Sequence, residues 1–365
     1  MTLTALRCPR RRRQANSAPV KLSVLVATSV LLASGTATAQ PPQLEVQAVA
    51  PTGSMPKGVS LSADGKHAYV TNFGQSESHN IDIYDAETLA HEARIDIPGN
   101  VVESVLSPDG TTIYASNFLR NSVQFVDLKT RRVTREIAVG LHPKILVPSP
   151  DNKFLFAANW SGQSISQIDI ETGKVVRTLP TTGLNPRGMA MSRAGVLYAA
   201  NFNSASIDIF KGPDYRDRHT IAACPIPRHL TLSPDASLLF VSCYHDSMLH
   251  AVDVATEKVV HTLHVGSSPK SVEVSKDGRW VWSADYGKET NSVTVVDTQD
   301  WTARVFVVPG MDHGSGLTLF PDGKRALVTG WWDSHVYLVG FEGTGGDPDT
   351  ARAKTDGWIR RPHHT

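Results

Sequence analysis

Tyr69-Val70-Thr71-Asn72 is the stretch whose reading decides the fold, because six later stretches repeat it. These are Tyr114-Ala115-Ser116-Asn117, Phe156-Ala157-Ala158-Asn159, Tyr198-Ala199-Ala200-Asn201, Phe240-Val241-Ser242-Cys243, Trp282-Ser283-Ala284-Asp285 and Leu327-Val328-Thr329-Gly330. Between their last residues the steps are 45, 42, 42, 42, 42 and 45 residues. Self-similarity at about 40 to 45 residues marks an array of one supersecondary unit, the blade.

Working outward from the first copy, residues 56–99 read as four short strands. Strands are predicted over 58–62, 66–72, 81–84 and 93–97, where apolar and polar residues alternate with a period of two. Ala63-Asp64-Gly65 closes the first hairpin, and its counterparts are Asp109-Gly110, Asp151-Asn152, Asp235-Ala236, Asp277-Gly278 and Asp322-Gly323. The second turn, Asp85 to Thr88, returns at Asp127 to Thr130, Asp169 to Thr172 and Asp253 to Thr256. These aspartates read as acceptors for turn amides rather than as catalytic or metal-binding groups. Blade four departs from the pattern, with Arg193-Ala194-Gly195 and Phe210-Lys211-Gly212-Pro213 at its turns, so its edges are expected to be irregular.

Seven units fill residues 56–341, but the seventh stops after three strands. Residues 44–49 stand where a missing fourth strand would come from, and pairing the two chain ends removes an exposed sheet edge. The fold expected is all-β: a seven-bladed β-propeller of four-stranded antiparallel blades, the last closed by the N-terminal strand.

Residues 1–39 are set aside as a signal peptide. Arg7, Arg10 to Arg13 and Lys21 precede the apolar run 22–33, and Ala37-Thr38-Ala39 offers small residues for cleavage. The run falls short of the ~20 residues that span a bilayer, so no membrane span is expected after cleavage. The propeller is assigned to 40–341, a flexible C-terminal tail to 342–365, and the protein to the periplasm or the secreted fraction, as a monomer. Without the leader's six of 36 Lys and Arg, 30 basic residues face 35 acidic ones, a net of −5. Such a balance argues against a general nucleic-acid binder. Cys224 and Cys243 remain, either as a disulfide or with Cys243 free to ligate a metal beside His229 and His245.

The repeat Pro-x-x-x-x-x-Ser-x-Asp-Gly, then Tyr-Val-Thr-Asn, then Asp-x-x-Thr resembles the YVTN family of β-propellers, exported proteins related to lactonase-type propellers. The resemblance extends over about 300 residues and implies the fold; its motif residues are structural. The chain has no Cys-x-x-Cys-His, so no covalent haem is implied.

In a propeller the turn entering each blade and the loop after its second strand surround one mouth of the central channel. The residue opening each blade is Lys57, Val102, Lys144, Arg187, Arg228, Lys270 or Ser315, basic in five of seven cases. The fields of cations converging on a concave site add and favour an anion. An aromatic residue follows every motif copy: Phe73, Phe118, Trp160, Phe202, Tyr244, Tyr286 and Trp331, with Trp332 doubling the last. These rings either pack between blades or form a stacking surface. The reading is a binding protein that holds an anionic small ligand or a partner's acidic segment, with Lys57, Lys144, Arg187, Arg228, Lys270, Trp331 and Trp332 as contacts. The alternative is a metal-assisted hydrolase or lyase of the lactonase type. There His229 or His313 would be the base, Glu103 or Asp312 would orient it or bind a divalent ion, and the candidate metal ligands are His229, His245, His313 and Asp312.

Overall fold

The computed structural model describes residues 43–344 apart from residue 77; the signal peptide expected over 1–39 and the tail expected beyond 344 lie outside them. Seven four-stranded antiparallel sheets follow one another around a ring, and six of them order their strands as the chain does. The outermost strand of blade seven is Leu44–Pro51, antiparallel to His335–Phe341, with Leu44 opposite Phe341 and Pro51 opposite His335. The two ends of the chain thus close the ring.

Each motif copy is the second strand of its blade and serves two neighbours. Successive strand side chains point to opposite faces. Tyr69 therefore packs into the layer shared with blade two, and Val70 into the layer shared with blade seven. Tyr114 and Ala115, and Phe156 and Ala157, divide in the same way. The result is one apolar layer per blade interface, with the largest layer, between blades six and seven, built on Trp280, Trp282, Tyr337 and Phe341. Asn72 is fully buried inside its blade and donates to the carbonyl of His79 and to Asp82. Asn117 donates likewise to Gln124, and Asn159 to Ser164 and Ser166. A buried amide is tolerated only when so paired.

The turn aspartates do what their chemistry suggests. Asp169 Oδ1 accepts both the amide and the hydroxyl of Thr172 at 2.7 Å, and Asp127 and Asp253 repeat the pattern. In the inner turns Ser233 donates to Asp235 at 2.6 Å and Ser237 adds its amide, holding the Asp235 carboxyl at about 2. A carboxyl whose folded pKa lies below its unfolded value contributes stability above the unfolded value and loses it as pH falls through the folded one. The melting temperature is therefore expected to hold above pH ~5 and to fall steeply between pH ~4 and ~2; a flat profile across that window, read by circular dichroism, would contradict the assignment.

Strand limits differ from the sequence reading at the outer turn. The outermost strand of blade one is His91–Ile95, two residues earlier than expected. The turn is tighter than the pattern suggests, because Leu89 takes a left-handed φ of 53° and returns its amide to Asp85. Blade four overturns the expectation of irregular edges. Its Ser206–Lys211 and Asp217–Ala222 strands pair without a break, whereas the outer pairs of blades one, two, three and five each carry a bulge.

The innermost strands line the channel, and every one of them shifts register just after its first residue. Bulges re-aim side chains, and here the shift falls on the residues that face the mouth.

Candidate functional site

The entry to each blade is built the same way. In six blades the residue before the innermost strand has a left-handed φ: Met55, His142, Asn185, Ile226, Ser268 and His313. Its carbonyl accepts the amide of the aromatic residue after the motif, as from Phe73 to Met55 and from Trp160 to His142. The next residue but one is the mouth residue. Its neighbour's amide, freed by the bulge, is taken by the motif hydroxyl: Gly58 N–H donates to Thr71 Oγ1 at 2.8 Å, and Gly316 N–H to Thr329 Oγ1 at 2.8 Å. His229 N–H donates to Ser242 Oγ at 2.9 Å. Inner strands of adjoining blades approach closely at this level: a Cβ on Gly316 would stand 2.3 Å from the Lys57 carbonyl, and one on Gly188 2.7 Å from the His229 Cα. The repeat motif is thus the brace of the mouth.

All five basic residues open onto one cavity of about 180 Å³, walled by Phe73, Phe118, Tyr286 and Trp331. The aromatic rings form a chain around it. Phe118 meets Phe73 edge-on at 5.7 Å, Phe73 stacks on Trp331 at 5.8 Å, and Tyr286, Tyr244, Phe202 and Trp160 continue the series. Between Phe118 and Trp160 the series is bridged by Lys144, whose Nζ lies 5.4 Å and 3.7 Å from the two ring centroids. Arg228 lies 4.4 Å from Tyr244, and Lys270 4.4 Å from Tyr286. The rings therefore serve both as packing and as faces for cations.

Charge in the mouth is poorly balanced. Lys57 Nζ donates to Glu103 Oε1 at 3.1 Å, and Lys270 Nζ donates to Ser315 Oγ. Burial lowers the Lys57 ammonium to about 8 even with Glu103 beside it, and lowers Lys270 well below its ordinary value. Burial and then Arg228 push Arg187 down to about 9, so the guanidinium keeps its charge at neutral pH. Although burial opposes it, the Lys57 ammonium together with Arg187 holds Glu103 below the usual carboxylate value. Two buried donors, Arg228 Nε and Trp331 Nε1, have no acceptor among the described residues. Orphaned buried donors cost free energy unless something accepts from them.

Beneath the cations lies a wider chamber of about 390 Å³, lined by Glu103, His229, Ser271 and Glu273 among others. His229 Nδ1 lies 3.1 Å from the Val272 carbonyl, and burial holds its ring near 4. Burial raises Glu273 to about 7 although it accepts the Leu319 amide at 2.9 Å. Glu273 escaped the sequence reading; its place two residues beyond Ser271, on the same strand face, was the available signal.

Of the remaining candidates, His313 Nδ1 sits 2.6 Å from Asp312 Oδ1 and its ring meets Tyr286 and Trp332 edge-on. His313 lines neither cavity, whereas Glu103 and His229 share the lower one. Trp332 is 55% exposed on the rim. His245 pairs with Asp246 at 2.9 Å and is exposed. Cys224 and Cys243 are joined in a disulfide, so the grouping of Cys243 with His229 and His245 does not arise. Among the described residues, the group of three with ligand atoms within 4.8 Å of one another is Cys224, Cys243 and His250, and its sulfurs are bonded to each other. His229, His245, His313 and Asp312 do not converge in this way. His142 stacks on Phe118 at 4.3 Å.

A family profile described as YNCE-like beta-propeller matches residues 102–314. Antigen Lp49 of Leptospira interrogans is 23% identical over 291 residues, covering 74% of this chain and 54% of that protein. Hydrazine synthase subunit beta of Kuenenia stuttgartiensis is 43% identical over 51 residues, 14% of this chain and 13% of that one. This chain thus spans about half the length of the first of these relatives. In structure it is similar to Kuenenia stuttgartiensis Hydrazine Synthase, with a TM-score of 0.70 at 18% identity over 84% of this chain and 99% of that one. At such identity the likeness speaks for the fold.

Proposed function

The chain belongs to the YNCE-like β-propeller family, and we propose that it is an exported binding protein whose mouth holds an anionic group, carried by a small molecule or by an acidic segment of a partner. The observation that carries the reading is the convergence of Lys57, Lys144, Arg187, Arg228 and Lys270 on one cavity. Glu103 is the carboxylate paired with a cation there. Buried cations without counter-ions are costly, and an entering anion removes that cost. The aromatic walls replace part of the surrounding water with low-dielectric surface, so the attraction is screened less than in open solvent. Export is supported by the signal-peptide pattern of residues 1–39 and by the Cys224–Cys243 disulfide, which suits an oxidising compartment. A protein partner is supported by the relative that is itself an enzyme subunit.

Calorimetric titration with sulfate, short dicarboxylates and acidic peptides tests the reading. Saturable binding that weakens with added chloride is expected; heats no different from those of an uncharged control would end it. Affinity for sulfate, which keeps its charge across this range, is expected to fall as pH rises from about 6 to about 9. The Lys57 ammonium titrates near 8 in the unliganded mouth, and a bound anion raises that value. Binding therefore takes up protons and is favoured on the acid side. Affinity independent of pH over this interval would contradict the placement of the anion beside the lysines.

A further inference from the structure

We infer that Lys144 is a carbonyl-reactive amine, and that the mouth captures a short oxo-carboxylate as an imine on Lys144 Nζ while Arg187 and Arg228 hold the carboxylate. The inference rests on the reading of the mouth as an anion site and gives that site a substrate class. Three lysines reach the cavity, and their surroundings separate them. Lys57 Nζ is bound to Glu103, and Lys270 Nζ donates to Ser315 Oγ. Lys144 Nζ has no oxygen partner of either kind among the described residues. It rests on the Trp160 face at 3.7 Å, with Phe118 on its other side at 5.4 Å.

The charged groups that bear on Lys144 are Arg187, Lys57 and Arg228, opposed by Glu103. Burial first, and then these cations, hold the Lys144 ammonium down to about 4, so the free amine is present at neutral pH. A desolvated lysine beside another cationic group is one way a protein obtains an amine nucleophile. Arg187 lies 5.6 Å from the same Trp160 ring, and Arg228 and Arg187 both lie within 6 Å of Phe202, so guanidinium and amine border one space. Guanidinium groups match carboxylate geometry, and Arg228 Nε has a donor to offer. A cavity of about 180 Å³ confines the partner to a few heavy atoms.

The step balances without a redox partner. The Nζ lone pair adds to the carbonyl carbon and forms the C–N bond. After proton transfers, the carbonyl oxygen departs as water and a C=N bond remains. A proton from solvent on that nitrogen gives an iminium whose charge lies over the Trp160 face, where a cation is favoured.

The test is borohydride trapping on the full chain at neutral pH, with pyruvate as probe and lactate, which has no carbonyl, as control. One reduced adduct per chain is expected, mapped to Lys144 by peptide mass. It should be lost in Lys144→Arg and lowered at least ~10-fold in Arg187→Met/Arg228→Met, whose amine is intact. Melting temperatures show that the variants fold, and mapping of the unmutated chain needs no variant. Absence of an adduct, or adducts on Lys57, Lys270 or surface lysines that persist in Lys144→Arg, would overturn the inference. Calorimetry of pyruvate and lactate without borohydride separates the two levels: binding without an adduct overturns the reactive amine and leaves the anion site standing, and neither binding nor an adduct overturns both.

Discussion

Replacing Arg187 and Arg228 together by methionine is expected to weaken sulfate binding by at least ~100-fold and to leave the melting temperature unchanged or higher. Each guanidinium supplies charged hydrogen bonds worth about 1.5–3 kcal/mol, and about 1.4 kcal/mol is tenfold in affinity. The stability half of the result discriminates more sharply. Arg187 is buried with Arg228 as the leading charge against it, and the Nε of Arg228 lacks an acceptor. Groups placed so serve a ligand at the expense of the fold. Were these arginines structural, each would have a carboxylate or carbonyl partner, and the double variant would melt lower. Unchanged sulfate affinity in a folded double variant would remove the mouth from consideration.

Deleting residues 43–51 is expected to abolish cooperative folding. The closure strand pairs seven of its residues with His335–Phe341 and buries Ala50, while Leu44 and Val46 pack against the layer of Trp280 and Trp282. Its loss strips several backbone hydrogen bonds of about 1 kcal/mol each. It also lays open an edge made of Val336, Tyr337, Leu338 and Val339, all buried in the intact ring. Domains of this kind hold only about 5–15 kcal/mol in reserve. The expected readout is loss of a sharp thermal transition and gain of aggregation; a variant that melted within a few degrees of the intact chain would show that blade seven stands on three strands.

The blade count, the motif strands and the closing strand were legible because each depends on a local pattern repeated at one period. Tyr69 and Val70 must face different neighbours whatever the rest of the molecule does. The mouth cations were legible for the same reason, since Lys57, Lys144 and Lys270 hold equivalent positions. Their partners were not. Lys57 finds Glu103 on the next blade, and Lys270 finds Ser315 on the next, but Lys144 finds aromatic faces. Such pairing depends on which residues adjoin across the ring, and the period is silent on that. The same limit hid Glu273 and placed His313 on the rim away from His229. Blade four misled because the missing Asp-x-x-Thr suggested an irregular edge, yet its outer strands pair in unbroken register.

The closure strand also sets a timetable. Leu44 to Pro51 leave the ribosome first among the propeller's strands, and their partners, His335 to Phe341, leave last. At about 5–20 residues per second the first strand waits on the order of 15–60 seconds for its mate. Through that interval six blades can assemble while the ring stays open and the waiting strand is available to any other unpaired edge. Release of the finished chain, rather than any single packing event, is then the moment at which the mouth becomes a closed ring and its five basic side chains are brought face to face.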